Sequence, residues 1–166
     1  MILVGPMGVG KSTVGELLAA RLGAAFRDTD KDIVDTSGKP ISEIFIDEGE
    51  PHFRALEREA VRRALAEHPG VLALGGGAIL AEETRELLRC LPVVFLEMGL
   101  TEAVKRVGLD APRPLLAVNP RQQWRKLMDE RRPLYAGVAR AVVSTEHRTP
   151  DEVVDEILEV LELKQS

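Results

Sequence analysis

Short apolar runs alternate with longer stretches in which apolar residues return every three or four positions. Ile2–Val4 is the first run; glycines follow, and then Val14, Leu17, Leu18 and Leu22 recur at helical spacing until Gly23 stops them. Residues 24–26 make a second short strand that ends in Asp28-Thr29-Asp30. A helix is expected from Lys31 to Gly38 and another from Pro51, its apolar face marked by Phe53, Leu56, Ala60, Val61, Ala64 and Leu65. Residues 71–74 form a third strand, closed by Gly75-Gly76-Gly77, and residues 93–96 a fourth, with a helix through Leu87 and Leu88 between them. Thr101 is placed to cap a short helix to Arg106, and residues 108–120, with three prolines, a glycine and an asparagine, read as a loop. A helix is expected over 124–132 and a fifth strand over 141–143. Thr149-Pro150-Asp151-Glu152 is a capping box with proline at the first helical position, opening a last helix with Val153, Val154, Ile157, Val160 and Leu161 inward.

Strands that alternate with helices imply parallel βαβ units. Strands that are apolar throughout imply a sheet covered on both faces. The pattern therefore predicts an α/β fold of three layers, α/β/α, with about five parallel strands. At 166 residues this is one domain, and 45% apolar against 30% charged residues supply an ordinary packed core.

Composition narrows the function. A net charge of −5 argues against broad nucleic-acid binding, yet 16 Arg stand against 6 Lys, a skew that suits carboxylate and phosphate ligands. Cys90 is the one cysteine, so the chain has no disulfide of its own; among Leu87, Leu88 and Leu91 it is expected in the core. The longest apolar stretch, residues 71–80, is interrupted by three glycines and too short to span a bilayer. No signal-peptide pattern opens the chain, and a cytoplasmic protein is expected. Only four residues precede Gly5, so the first strand is short and an earlier start to the chain stays open.

Gly5-Pro6-Met7-Gly8-Val9-Gly10-Lys11-Ser12 matches G-x-x-x-x-G-K-[ST], with a strand before it and a helix after. Glycines let backbone N–H groups wrap phosphate oxygens, and the helix N-terminus adds its positive end. Lys11 is placed to reach the terminal phosphates and the Ser12 hydroxyl to bind Mg²⁺. Pro6 removes one N–H from this loop. No guanine-reading N-K-x-D is evident, so a GTPase falls away, but the motif alone does not separate a kinase from an ATPase or a nucleotide sensor.

Other residues bear on that choice. Asp28 and Asp30, two apart at a strand end, are expected to project from one face, one suited to a metal and the other to an acceptor hydroxyl; alone they are equally a solvated turn. The triplet 75–77 suggests a ligand close to the backbone or a flexible loop. Arg54 lies on a helix, where a surface arginine paired with Glu57, or with the neighbours of Arg58, is the plainer alternative. Arg113 lies in Pro112-Arg113-Pro114, as a lid arginine would. Arg131 and Arg132 precede Pro133-Leu134-Tyr135 at an expected helix end. His52, His68 and His147 lack metal-ligand spacing, and Trp124 and Tyr135 are expected to serve packing.

Taken together, Gly5 to Thr13, Asp28-Thr29-Asp30, Phe53-Arg54 with Glu57, Leu74-Gly75-Gly76-Gly77, Arg113-Pro114-Leu115-Leu116 and Arg131 through Tyr135 resemble the shikimate kinase family along nearly the whole chain. The resemblance implies a single P-loop kinase domain over 1–166, like the nucleoside monophosphate kinases, with a substrate-binding segment at about 31–60 and a lid at about 108–122. It implies ATP-dependent phosphorylation of the 3-hydroxyl of shikimate, with Mg²⁺, by a monomer. By the same resemblance, Gly8, Val9, Gly10, Lys11, Ser12 and Thr13 hold ATP phosphates, and Ser12 and Asp28 serve Mg²⁺. Asp30 receives shikimate hydroxyls and is the candidate base, Arg54 and Arg131 clamp the carboxylate, and Gly76 offers its backbone. Arg113 acts on the transferring phosphate, and Arg106 and Arg148 flank the adenine. Arg131 is preferred to Arg132 from its place before Pro133-Leu134-Tyr135. The rivals are a gluconate-kinase-like enzyme, a non-catalytic nucleotide-binding module, and an ATPase using Glu97 to orient water.

Overall fold

The computed structural model describes residues 1–99, 102 and 120–165. The expected helix at 101–106, most of the lid segment, Arg106 and Arg113 lie outside the described residues. Five strands form one parallel sheet: β1 (Ile2–Val4), β2 (Phe26–Asp28), β3 (Val71–Ala73), β4 (Val93–Glu97) and β5 (Ala141–Ser144), in the order β2-β3-β1-β4-β5. The short first strand is thus the central one, and β1, β3 and most of β4 are buried on both faces. The helices are α1 (Lys11–Leu22), α2 (Thr29–Ser37), α3 (Ile41–Glu48), α4 (Glu50–Glu67), α5 (Glu82–Leu88), α6 (Pro120–Val138) and α7 (Pro150–Gln165), with a 3-10 turn at Ala78–Leu80.

The main core runs through the strands and the inner faces of α1, α6 and α7. A separate small cluster of Ile33, Ile44 and Phe53 joins α2, α3 and α4, so the segment beyond β2 is packed as a unit of its own. α7 begins as expected: Thr149 N–H donates to Glu152 Oε1 at 3.0 Å and Glu152 N–H to Thr149 Oγ1 at 3.2 Å.

Five expectations are corrected. The second strand starts at Phe26, because Ala24 N–H still bonds to Ala19 O and closes α1. Helix α2 starts at Thr29 and not Lys31, because Asp28 caps it; Asp30 therefore sits in a first helical turn, not at a strand end. Helix α3 was not anticipated. Helix α6 runs on through Pro133 to Val138, held on either side of the proline by buried Met128 and Tyr135. Cys90 is exposed, since it lies past the end of α5 on the side of exposed Leu87 and not of buried Thr84 and Leu88.

Candidate active site

The C-terminal ends of the parallel strands bring four segments together, as such sheets do. At the first, a Cβ on Gly5 would run into the carbonyl oxygen of Leu96, so only glycine lets the chain turn over the end of β4. Gly8 and Gly10 take φ of 83° and 93°, the region that glycine enters freely. Val9 is buried and anchors the loop. Gly10 caps α1 without any side chain, which leaves the helix's first N–H groups directed at whatever the loop encloses.

Lys11 Nζ donates to the carbonyls of Gly5 at 2.6 Å and Pro6 at 3.0 Å. Burial pushes its amine down to about 8; Asp30 and Asp28 pull it back up, and the nearby positive charge of Arg131 pushes the same way as burial. Ser12 Oγ donates to Asp28 Oδ2 at 3.0 Å, while Asp28 Oδ1 accepts from Asp30 N–H at 2.9 Å. One carboxylate thus caps α2 and faces the helix that follows the loop. A hydroxyl beside an oriented carboxylate is the hard-oxygen donor set that Mg²⁺ takes.

Among the described residues, Asp30 is the most perturbed carboxylate. Burial, then the negative charges of Asp28 and Glu57, push it up to about 6, against the pull of Lys11 and Arg54. Its Oδ1 is buried without a hydrogen-bond partner. A buried carboxylate oxygen with open acceptor capacity is suited to a hydroxyl donor.

The glycine triplet is the wall against which these groups meet, and Gly75 and Gly77 each answer a different crowding. A Cβ on Gly75 would lie 2.5 Å from Asp30 Oδ1 and 3.0 Å from Glu57 Oε2. One on Gly77 would lie 2.7 Å from Arg54 Nη2. Gly76 faces the phosphate loop and α6: its Cβ position is 3.4 Å from Met7 N and 3.8 Å from Arg131 Nη1. Arg54 is held by Glu57 at 2.8 Å and Glu50 at 3.4 Å. Glu57 is buried; burial raises its pKa, and the hydrogen bond from Arg54 opposes the rise.

Asp28, Asp30, Arg54, Gly76, Lys11, Ser12 and Arg131 are thus brought to one place. Arg132, the alternative to Arg131, pairs with Glu97 at 2.6 Å, which ties up the acid that could have oriented water. Arg148 pairs with Glu156 at 2.8 Å. The pair of Arg54 with Glu57, expected as a surface pair, is buried on the Glu57 side. Two residues of the site, Thr29 and Tyr135, were given no such role from the sequence. Thr29 is buried and accepts from Gly75 N–H at 3.3 Å. Tyr135, expected only to pack, also donates its hydroxyl to Gly76 O.

The sequence model of the shikimate kinase family matches residues 7–162. A shikimate kinase of Streptomyces coelicolor is 65% identical over 166 residues, covering 100% of this chain and 97% of that protein. Among solved structures, a shikimate kinase of Acinetobacter baumannii in complex with shikimate superposes with a TM-score of 0.91 at 39% identity, over 98% of this chain and 92% of its own. A gluconokinase of Sinorhizobium meliloti superposes at 0.57 with 22% identity, over 97% of this chain and 90% of its own, a likeness of fold alone.

Proposed function

Because the chain belongs to the shikimate kinase family, we propose that its site passes the γ-phosphoryl group of ATP to the 3-hydroxyl of shikimate. The observation that carries the residue roles is the convergence on Gly75-Gly76-Gly77 of a phosphate loop, a buried acid with an open acceptor atom, and two arginines.

Arg54 and Arg131 hold the acceptor's carboxylate, a charge-assisted contact for which the planar guanidinium is suited. Asp30 accepts the hydrogen bond of the reacting hydroxyl. With a pKa near 6 it is ionised at neutral pH and close enough in basicity to take the proton as the oxygen attacks phosphorus. The bond from the γ-phosphorus to its bridging oxygen breaks, and the proton from the hydroxyl ends on Asp30 Oδ1. The backbone of Gly8 to Thr13 and the Lys11 amine hold the phosphate oxygens in line. Ser12 and Asp28 would hold Mg²⁺, which when bound neutralises phosphate charge. Arg113 supplies further positive charge to the transferring group, and Arg106 and Arg148 serve the adenine. Transfer of this kind depends on orientation more than on strong basicity, which is why the site spends its buried contacts on placing groups. Among the described residues no helix is long and apolar enough to cross a membrane. A cytoplasmic monomer with small-molecule substrates only, and no nucleic-acid or membrane partner, completes the reading.

ADP release with MgATP in three reactions tests it: with shikimate, with gluconate, and with no acceptor. ADP made only with shikimate is expected. ADP with gluconate alone, or without acceptor, would overturn the roles of Asp30, Arg54 and Arg131.

A further inference from the structure

We propose that Tyr135 is a positioning residue for the acceptor, its phenol fixing Arg131 against the glycine wall. The ring is fully buried and stacks on Phe95, with centroids 4.9 Å apart and planes 27° from parallel. Its hydroxyl donates to Gly76 O. Arg131, four positions earlier on α6 and so on the same helical face, places its Nη1 3.8 Å from the Cβ position of that same Gly76. The phenol therefore holds the residue of the wall against which the arginine lies.

The wall is held in the same manner from its other side. Gly75 N–H donates to Thr29 Oγ1, and Thr29 immediately precedes Asp30. Two adjacent glycines are thus bonded by two buried hydroxyls, each from the element that carries a charged group of the site. The wall sets the span between Asp30 and Arg131, and Tyr135 is the strut at the arginine end. An Arg side chain has several rotatable bonds, and a fixed guanidinium loses less freedom when it binds a carboxylate. The inference rests on the reading of Arg131 as a carboxylate ligand.

The test is Tyr135→Phe, which keeps the stack and removes the oxygen, in a cycle with Arg131→Lys and the double variant. The expected result is a rise of about tenfold in KM for shikimate with KM for ATP unchanged. The double variant should be little worse than Arg131→Lys alone, because the phenol acts through the arginine. Phe95→Leu serves as the packing control: it removes the ring under Tyr135 and leaves the hydroxyl, and should lower Tm without raising KM for shikimate. An unchanged KM in Tyr135→Phe would overturn the proposal. So would full additivity with Arg131→Lys, or a Phe95→Leu variant that reproduces the rise. No effect of Arg131→Lys on shikimate would overturn it together with the arginine's own role, and that single variant separates the two failures.

Discussion

The guanidinium of Arg54 occupies the space that a side chain on Gly77 would need. An ideal Cβ there would lie 2.7 Å from Nη2 and 2.8 Å from Cζ. Gly77 has φ of −99°, which any residue can adopt, so its lack of a side chain serves the arginine and not the backbone. Gly77→Ala should therefore fold, because the far end of a long side chain yields more readily than backbone. The displaced guanidinium should lose its bond to Glu57 and its aim. KM for shikimate should rise by roughly tenfold or more, with KM for ATP and Tm little changed. Steady-state kinetics varying each substrate in turn, beside a thermal melt, would check this; equal rises in both constants would contradict it.

Asp30→Asn should separate activity from stability. The folded protein raises this carboxyl from an ordinary 3.8 to about 6, so the folded state holds its proton more tightly than the unfolded chain does. The stabilising contribution of that proton is full below about pH 4 and is lost as pH rises through about 6. At pH 8 the buried charge costs stability, of the order of 2 kcal/mol. Asparagine is neutral throughout. The variant should lose turnover by about a hundredfold or more while melting roughly 5 °C higher than the parent at pH 8. The difference in Tm should shrink toward zero near pH 4. A variant that melts lower at pH 8, or that keeps its turnover, would refute the role.

Much of this was legible because it is written locally. Apolar runs mark the buried strands, the capping box opens α7, and the phosphate loop is contiguous. Helix α3 was not legible because it is only eight residues long and Ile46, 82% exposed, blurs the face of Ile41, Ile44 and Phe45 that packs toward α4. The pairing of Asp28 with Asp30 was found for a wrong geometric reason, since capping by Asp28 moves Asp30 from a strand onto a helix. Thr29 and Tyr135 were silent because they act by holding other groups. Thr29 meets Gly75 across 46 positions, and Tyr135 meets Gly76 across 59. No spacing rule reaches that far; only the fold makes a threonine between two aspartates, or a tyrosine after a proline, part of the site.

The rate should have two pH limits set by opposite ends of the site. Asp30 must be ionised to accept the hydroxyl proton, and its pKa of about 6 places the acid limb of kcat/KM for shikimate there. Lys11 must be protonated to hold phosphate, and its amine, pushed down to about 8 by burial, places an alkaline limb on kcat/KM for ATP. The two constants should thus bend at opposite ends when profiled separately from pH 5 to 9.5. A flat shikimate profile from pH 5 to 7 would remove Asp30 as the base.

The two adjacent arginines of α6 should behave differently under the same mild change. Arg131 lies 3.8 Å from the Cβ position of Gly76 and close enough to Lys11 to lower its pKa, whereas Arg132 is bonded to Glu97 at 2.6 Å. Lysine keeps the charge but cannot bond a carboxylate through two parallel N–H groups. Arg131→Lys should raise KM for shikimate by about tenfold or more, since a charge-assisted bond of this kind contributes about 2 kcal/mol. Arg132 is half exposed, and its ion pair is of the kind worth little in solution. Arg132→Lys should leave both Michaelis constants within about twofold of the parent. Were Arg132→Lys the variant that weakens shikimate, the carboxylate clamp would have to be built around Glu97, and the wall at Gly76 would lose its charged partner.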